Sequence, residues 1–214
     1  MIIKRLMSYI WPIPVERFTG ALGVLEVRYE EGDLVLNSAQ GNQSFGSLHR
    51  VWQRVFAGIG LKRSPPADVL LLGLGGGSVP RILRRELGLA CPITAVEFDP
   101  AMISAAKRHF GLNEWPALTV VEGDAIVRVH AMKQRFGLVL IDLFDDLDLA
   151  PGVDTAGFAH ALRDRCDGTL CFNTVDYDAE SGVRCDRVLA NLKKVFSSVD
   201  ELRLEGVNRV FIAR

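Results

Sequence analysis

The distribution of apolar residues changes along the chain at a pair of prolines, Pro65 and Pro66. Before that pair, alternating apolar residues flank an acidic glycine turn in GVLEVRY-EEGD-LVLN, a pattern that is typical of a β-hairpin. Apolar residues at helical spacing follow in SLHRVWQRVFAGIGL, where Ser47 is the predicted cap. These patterns predict an N-terminal layer over residues 1–64, made of a small β-hairpin and a helix.

After the prolines, short apolar runs rich in branched residues alternate with helical segments. The runs VLLL, ITAVE, LTVVEG, LVLID and TLCFNTV are typical of buried parallel strands. The predicted helices are VPRILRREL, PAMISAAKRHF, AIVRVHAMKQRF, TAGFAHALRDR and GVRCDRVLANLKKVF, and VDELRLEG-VNRVFIA is a closing antiparallel strand pair. The alternation predicts an α/β domain over residues 65–214 with a doubly wound, mostly parallel, Rossmann-like sheet of seven strands.

The composition of the chain argues against nucleic-acid binding, membrane association and metal binding. The chain has 25 basic and 26 acidic residues, so no positive excess predicts binding to nucleic acid or to an anionic membrane. Its four cysteines form no C-x-x-C pair and meet no histidines at zinc spacing, so we expect reduced thiols and no metal site. No apolar stretch approaches the roughly 20 residues of a membrane span. Pro12 and Pro14 interrupt the first apolar run, and no cleavage site follows it. We therefore expect a cytoplasmic protein.

A glycine-rich turn, GLGGGSVP, directly follows the first strand of the second part. Its glycines lack a Cβ atom and let a ligand lie against the backbone: Gly73, Gly75, Gly76 and Gly77. The helix that begins near Val79 presents free N–H groups at the same place. The spacing lacks the last glycine of the dinucleotide fingerprint G-x-G-x-x-G, because Pro80 occupies that position. The turn predicts a nucleotide-like ligand, with a tight turn that binds nothing as the alternative.

Acidic residues end the next two strands, at the edge where ligands bind in such sheets. Glu97 is placed to accept hydrogen bonds from ribose hydroxyls, whereas Asp99 is predicted to cap the following helix. Asp124 caps its helix, accepts a hydrogen bond from an adenine amine, or does both, and the Ala125 N–H can donate to a ring nitrogen. A nicotinamide enzyme has no particular need for this G-D-A, so the segment favours an adenosyl ligand over NAD.

Carboxylates crowd the end of the fourth strand, in LVLIDLFDDLDL. Asp142 lies beside the glycine turn, where the reacting part of a bound ligand is expected. Like charges at this density are unfavourable unless they are solvated or face a cation. Asp142 and Asp145 are predicted to be functional, whereas a solvated acidic loop explains Asp146 and Asp148 equally well.

In this order, GLGGGSVPRIL, AVEFDPAMISAAKRHFG, EGDA and the D-x-x-D of DLFD resemble the spermidine synthase family. These aminopropyltransferases have the fold of class I S-adenosylmethionine methyltransferases, and the resemblance covers roughly residues 34–175. It implies S-adenosylmethionine or its decarboxylated form as donor substrate, and a small amine, such as a polyamine, as acceptor. Asp142 would help to deprotonate the attacking amine, and Asp145 would bind it. The predicted cofactor site comprises Gln43, Gly73, Gly75, Gly76, Gly77, Glu97, Phe98, Asp124 and Ala125.

Several positions depart from the family pattern. Gly76 stands where the family has an aspartate that contacts the aminopropyl amine, and Asp146 stands where it has proline. The tyrosine and acidic residues expected after the glutamine are absent, and Gln40 competes with Gln43 for that match. The change at Gly76 slightly favours the intact cofactor, and thus methyl transfer over aminopropyl transfer. A non-catalytic adenosyl-binding module and an NAD-dependent oxidoreductase are the alternatives, and the hairpin offers a surface on which two copies can pair.

Overall fold

The computed structural model describes residues 2–21, 23–38, 42–44, 46–145 and 148–214, with the side chains of 42–44 and 46 left out. The chain begins with helix α1 (Ile2–Met7), strands β1 (Ile13–Gly20), β2 (Gly23–Glu30), β3 (Asp33–Asn37) and β4 (Asn42–Ser44), and helix α2 (Gly46–Gly58). The four strands form one antiparallel sheet in sequential order. The predicted hairpin is β2–β3, which pairs Glu30 with Asp33 across its turn.

Helix α1 and strands β1 and β4 were not predicted from the sequence. Strand β1 has no buried residue and contains Pro14, so its sequence lacks the clear apolar alternation of a strand. Ser47 lies inside the first turn of α2 because the helix already includes Gly46, so its prediction as the residue before the helix was wrong.

A second sheet has seven strands in the spatial order β12-β13-β11-β8-β5-β6-β7. Their bounds are β5 (Val69–Leu72), β6 (Ile93–Glu97), β7 (Leu118–Glu122), β8 (Phe136–Ile141), β11 (Cys166–Val175), β12 (Val199–Leu204) and β13 (Asn208–Ala213). The two-residue strands β9 (Phe144–Asp145) and β10 (Asp148–Leu149) pair with each other outside it. Strands β11, β8, β5, β6 and β7 are parallel, and β13 is antiparallel to both neighbours. This arrangement confirms the predicted fold.

The helices that connect these strands are α3 (Ser78–Arg81), which continues as a π turn (Ile82–Glu86), α4 (Pro100–His109), α5 (Ala125–Ala131), α6 (Ala156–Arg165) and α7 (Ala179–Val195), with a 3-10 turn at Leu112–Glu114. Helix α5 is shorter than its predicted range, because Met132 is extended and Phe136 already begins β8. Helix α7 begins earlier than predicted, because Asp178 and Ser181 cap it reciprocally.

The central sheet is buried on both faces, as a parallel sheet covered by helices must be. Strand β5 illustrates this, because Val69 and Leu71 join a core cluster with residues of α2 and α3. Leu70 and Leu72 point to the opposite face and join a cluster with residues of α6 and α7. Helix α2 therefore belongs to the core of the main sheet, and the proposed boundary between residues 64 and 65 stays a prediction.

Asp99 links the N-terminal sheet to the main domain. It is 5% exposed, and its carboxylate caps α4 by accepting from the Ala101 N–H at 2.8 Å. The other carboxylate oxygen accepts from the Ala21 N–H, in the turn between β1 and β2, at 2.9 Å. Leu25 and Met102 belong to a small apolar cluster beside this link. The predicted cap is thus also a polar connection between the N-terminal sheet and the main domain.

Replacing Asp99 with alanine removes both the helix cap and the acceptor for the Ala21 N–H. We expect a loss of about 2–3 kcal/mol in the free energy of unfolding, measured with urea. The matched control is Asp178→Ala, which removes an exposed cap from α7 and should lower the free energy of unfolding by less than Asp99→Ala does. Equal losses in the two variants would contradict a stabilising role for the link to Ala21.

Candidate functional site

A cavity of about 490 Å³ lies at the carboxyl edge of the parallel strands. Leu25, Ser38 and Leu48 of the N-terminal layer form part of its wall. The sequence-predicted residues that line it are Gly73, Gly75, Glu97, Phe98, Asp124, Ala125, Asp142 and Asp145. The structure therefore brings the ends of four strands together around one space of the size that small-molecule sites have.

The remaining predicted residues have other positions. Gly76 and Gly77 are buried in the turn and are not part of the cavity wall. Gln43 lies in β4, but its side chain is outside the described residues, and Gln40 and Asp146 are outside them altogether. Their predicted roles stay predictions.

The glycine turn is fixed by steric requirements of the chain itself. Gly73 has φ of 90°, and a Cβ atom there would lie 2.0 Å from the backbone oxygen of Asp142. Gly77 has φ of 94°, and a Cβ atom there would meet the Trp115 ring at 3.0 Å. Glycine at position 73 lets the chain pass close to the end of β8 as it leaves β5, and glycine at position 77 lets it enter α3, in both cases without backbone strain.

Glu97 holds the glycine turn against the end of β6. One carboxylate oxygen accepts from the N–H groups of Leu74 and Gly75, both at 3.0 Å. The other accepts from the Asp99 N–H at 3.0 Å. Burial raises the pKa of Glu97, and the three backbone N–H groups oppose that rise. A carboxylate offers about four acceptor positions, so Glu97 can accept one more hydrogen bond, from a sugar hydroxyl.

Asp124 begins helix α5 and caps it. Its Oδ1 accepts from the N–H groups of Ile126 at 2.7 Å and Val127 at 3.0 Å. Both bonds use one oxygen, which leaves Oδ2 able to accept from an amine. The next residue, Ala125, is 7% exposed and also lines the cavity. The capping role and a ligand-binding role are thus compatible in one side chain.

Asp142 is held from two sides at the end of β8. The indole Nε1 of Trp52, on α2, donates to Oδ2 at 3.0 Å. The side-chain amide of Asn173, on β11, donates to Oδ1 at 3.0 Å. Burial raises the pKa of the Asp142 carboxyl, and these two hydrogen bonds oppose the rise. Asp142 therefore presents a half-buried carboxylate of fixed orientation to the cavity.

Sequence analysis missed the partners of Asp142. Trp52 occupied an ordinary apolar position in a helical pattern, and nothing in that pattern distinguishes its N–H group. Asn173 carried a usable signal, because a polar residue inside the apolar run TLCFNTV is unusual in a strand buried on both faces. Asn173 is 0% exposed, and its oxygen accepts from the Asn208 side chain at 3.0 Å.

Asp145 lies on the exposed side of the cavity, in the short β9–β10 ribbon. Its partner in that ribbon, Asp148, accepts a hydrogen bond from the Tyr177 hydroxyl at 2.6 Å. That hydrogen bond raises the pKa of Tyr177 to about 12, because the phenolate would face the carboxylate. Asp145 thus faces the cavity while Asp148 is engaged outside its wall.

The described titratable residues that line the cavity are all acidic. The titratable residues in its wall are Glu97, Asp99, Asp124, Asp142 and Asp145. Among the residues that the structure describes, no lysine, arginine or histidine lines the space. Such a lining favours cationic ligands over anionic ones.

Two absences apply to the same described ranges. Within them, no group of three or more histidine, cysteine or acidic side chains is arranged to hold a metal ion. Their helices also include none that is long and apolar enough to cross a bilayer.

No protein-family model matches the chain. It is 32% identical over 161 residues to an eEF1A lysine and N-terminal methyltransferase homolog of Drosophila pseudoobscura pseudoobscura. The aligned segment covers 70% of this chain and 23% of that protein. It is 30% identical over 159 residues to a polyamine aminopropyltransferase of Vibrio vulnificus (strain CMCP6). This alignment covers 69% of this chain and 50% of that protein. The chain thus spans half or less of the length of these relatives.

Two solved structures share the fold. Spermidine synthase from Thermotoga maritima has a TM-score of 0.73 at 18% identity, covering 94% of this chain and 72% of that one. Human methyltransferase-like protein 13 in complex with SAH has a TM-score of 0.65 at 24% identity, covering 79% and 82%. The chain therefore has the class I S-adenosylmethionine methyltransferase fold, and its relatives include polyamine aminopropyltransferases and eEF1A methyltransferases, which confirms its resemblance to the spermidine synthase family.

Proposed function

We propose that the protein is a transferase that takes S-adenosylmethionine or its decarboxylated form as donor and moves a methyl or aminopropyl group to an amine. The observation that carries the proposal is the single cavity in which Glu97, Asp124 and Asp142 meet beside the glycine turn. The relatives named as methyltransferases and aminopropyltransferases support it, because both kinds of name describe transfer to nitrogen.

The donor would lie along the strand ends in the order of its chemical groups. Glu97 would accept from the ribose hydroxyls, and the free oxygen of Asp124 would accept from the adenine amine. The Ala125 N–H would donate to a ring nitrogen of the base. Gly73 and Gly75 would leave room for the sulfonium end, close to Asp142. The acidic lining favours the positive sulfur of the donor over the neutral thioether that remains after transfer.

Asp142 would act as the base. A protonated amine has no lone pair to attack with, so it must lose a proton before or while the new N–C bond forms. As that bond forms, the C–S bond breaks and its electron pair goes to sulfur, while the proton passes from nitrogen to the carboxylate. The raised pKa of Asp142 suits this role, because a more basic carboxylate accepts a proton more readily. Asp145 would attract the charged end of the acceptor from the open side.

The choice of transferred group rests on two features that favour different donors. The family aspartate that binds the aminopropyl amine is replaced by Gly76, which removes a repulsive charge for the carboxylate of the intact cofactor. This favours methyl transfer, which we take as the primary activity. The absence of a basic residue from the described cavity wall favours the decarboxylated donor, so aminopropyl transfer is the second candidate.

Two finer assignments complete the proposal. The first is a cytoplasmic location, which stays a prediction from the sequence. The second is a small amine, such as a polyamine, as acceptor, which the name of the Vibrio relative supports. Pairing of two copies through the N-terminal hairpin also stays a prediction.

Replacing Asp142 with asparagine keeps the shape of the side chain but removes its basicity. We expect transfer of label from S-adenosylmethionine to 1,4-diaminobutane or to a lysine-containing peptide to fall by at least about 100-fold. Donor affinity, measured by calorimetry, should fall by less than about tenfold, because four other carboxylates remain in the cavity wall. The control is Asp148→Asn on the same loop, outside the cavity wall, which should retain activity. Unchanged transfer in Asp142→Asn would refute the assignment of the base.

Calorimetry with the two donors tests the choice of group. We expect the wild-type protein to bind S-adenosylmethionine more tightly than the decarboxylated form. Gly76→Asp restores the family carboxylate and should shift the ratio of the two affinities toward the decarboxylated donor by about tenfold. Gly76 is buried next to the wall residue Gly75, and its backbone conformation is one that a side chain can adopt, since φ is positive at Gly75 and Gly77 and not at Gly76.

The charge-matched control is Gly157→Asp in α6, where an added Cβ atom meets nothing within 4 Å. It should leave the affinity ratio unchanged. A wild-type preference for the decarboxylated donor would overturn methyl transfer as the primary activity, and failure to bind either donor would overturn the proposed function.

A further inference from the structure

We propose that Trp52 and Asn173 are positioning residues for Asp142, and that Asn208 acts through Asn173 to keep it in place. The proposal rests on the proposed function, in which Asp142 is the base. The N-terminal layer then has two roles. It lines part of the cavity, and through Trp52 it orients the base.

The geometry around Asp142 places one neutral donor on each carboxylate oxygen. Trp52 reaches Oδ2 from α2, and Asn173 reaches Oδ1 from β11, both at 3.0 Å. The backbone of Asp142 is itself fixed, because its N–H donates to the Leu72 carbonyl at 2.8 Å. With both oxygens and the backbone held, the carboxylate has one orientation toward the cavity.

Asn208 sets which end of the Asn173 amide faces Asp142. The Asn208 side-chain N–H group donates to the Asn173 oxygen at 3.0 Å, so that oxygen is turned away from the carboxylate. If the Asn173 amide rotated by half a turn, its oxygen would face the negative charge of Asp142. Asn208 and Asn173 therefore form a chain of two hydrogen-bond donors that ends on the Asp142 carboxylate.

The neutrality of these donors matters for the chemistry. A lysine or arginine in their place would pair with Asp142, lower its pKa and occupy the position where a cationic substrate must bind. Indole and amide N–H groups orient the carboxylate and leave its charge unbalanced. This half-buried charge can then pair with the protonated amine or the sulfonium of a ligand in the cavity.

Charged groups on the elements that pack against Asp142 are engaged elsewhere. On α2, His49 contacts Glu86, while Arg50 and Arg54 pair with Glu205. Beyond Asn208 on β13, Arg209 pairs with Glu201, Asp186 and Asp176. The titratable groups that share the cavity with Asp142 are the carboxylates of Glu97, Asp99, Asp124 and Asp145. Hydrogen bonding by Trp52 and Asn173 is thus the local influence that opposes protonation of Asp142.

The test is a pH titration of the aspartate carboxyl carbons by NMR, with the Asp142 signal identified by its loss in Asp142→Asn. Trp52→Phe keeps an aromatic ring and removes the N–H donor. Because that donor favours the ionised carboxylate, we expect the pKa of Asp142 to rise by about one unit. The acid limb of the pH–rate profile with 1,4-diaminobutane should move upward by the same amount, while affinity for S-adenosylmethionine stays within about twofold.

Trp115→Phe is the matched control, because Trp115 is also buried and its indole nitrogen has no hydrogen-bond partner among the described residues. It should leave the Asp142 titration unchanged. Asn208→Ala provides a second variant that does not alter the core, and it should shift the titration in the same direction by a smaller amount. Its control is Asn191→Ala, on α7, where the side chain bonds the Asp154 carbonyl.

The outcomes separate the inference from the proposed function. If the wild-type protein binds neither donor, the proposed function fails whatever the titrations show. If Asp142→Asn retains transfer, Asp142 is not the base, and the positioning role of Trp52 and Asn173 fails with it. If Asp142→Asn loses transfer while Trp52→Phe and Asn208→Ala titrate like wild type, the positioning role is overturned and the proposed function survives. An equal shift in Trp115→Phe would also overturn it, because the cause would then be general loosening of the core.

Discussion

Parallel pairing of β5 with both β6 and β8 is the constraint on which the site depends. Leu72, the last residue of β5, lies opposite Val96 on one side and Ile141 on the other. The next residues, Gly73, Glu97 and Asp142, therefore leave the sheet side by side. A shift of one residue in either pairing would turn the strand faces over and separate these groups. The chemistry of the cavity follows from that register, since none of the three loops could form it alone.

The sequence was most informative where a physical rule links pattern to position. Apolar runs identified the strands because a parallel sheet is buried on both faces, and the rule that ligands bind at the carboxyl edge pointed to Glu97 and Asp142. It was least informative at helix ends. The predicted helix over 125–136 ran into β8, because Phe136 fits the apolar pattern of either element. Strand β1 was not predicted, because none of its side chains is buried.

Contacts between distant segments were beyond the reach of pattern analysis. Trp52 and Asp142 are 90 residues apart, and neither local sequence indicates the other. The same holds for Asp99, whose capping role was predicted from Asp-Pro but whose bond to Ala21 crosses 78 residues. Such pairs depend on how the N-terminal layer packs against the sheet. Periodicity describes one element at a time and does not contain that information.

The placement of Asp99 has a mechanical consequence. One side chain anchors the turn between β1 and β2 and the first turn of α4, and its own backbone N–H is bonded to Glu97. A small rotation of the loop at 97–99 as a ligand settles would therefore pull on the β1–β2 turn and on α4 together. The N-terminal sheet is thus joined to the wall of the cavity twice, through the hydrogen bond from the Ala21 N–H to Asp99 and through Leu25, which lines the cavity directly.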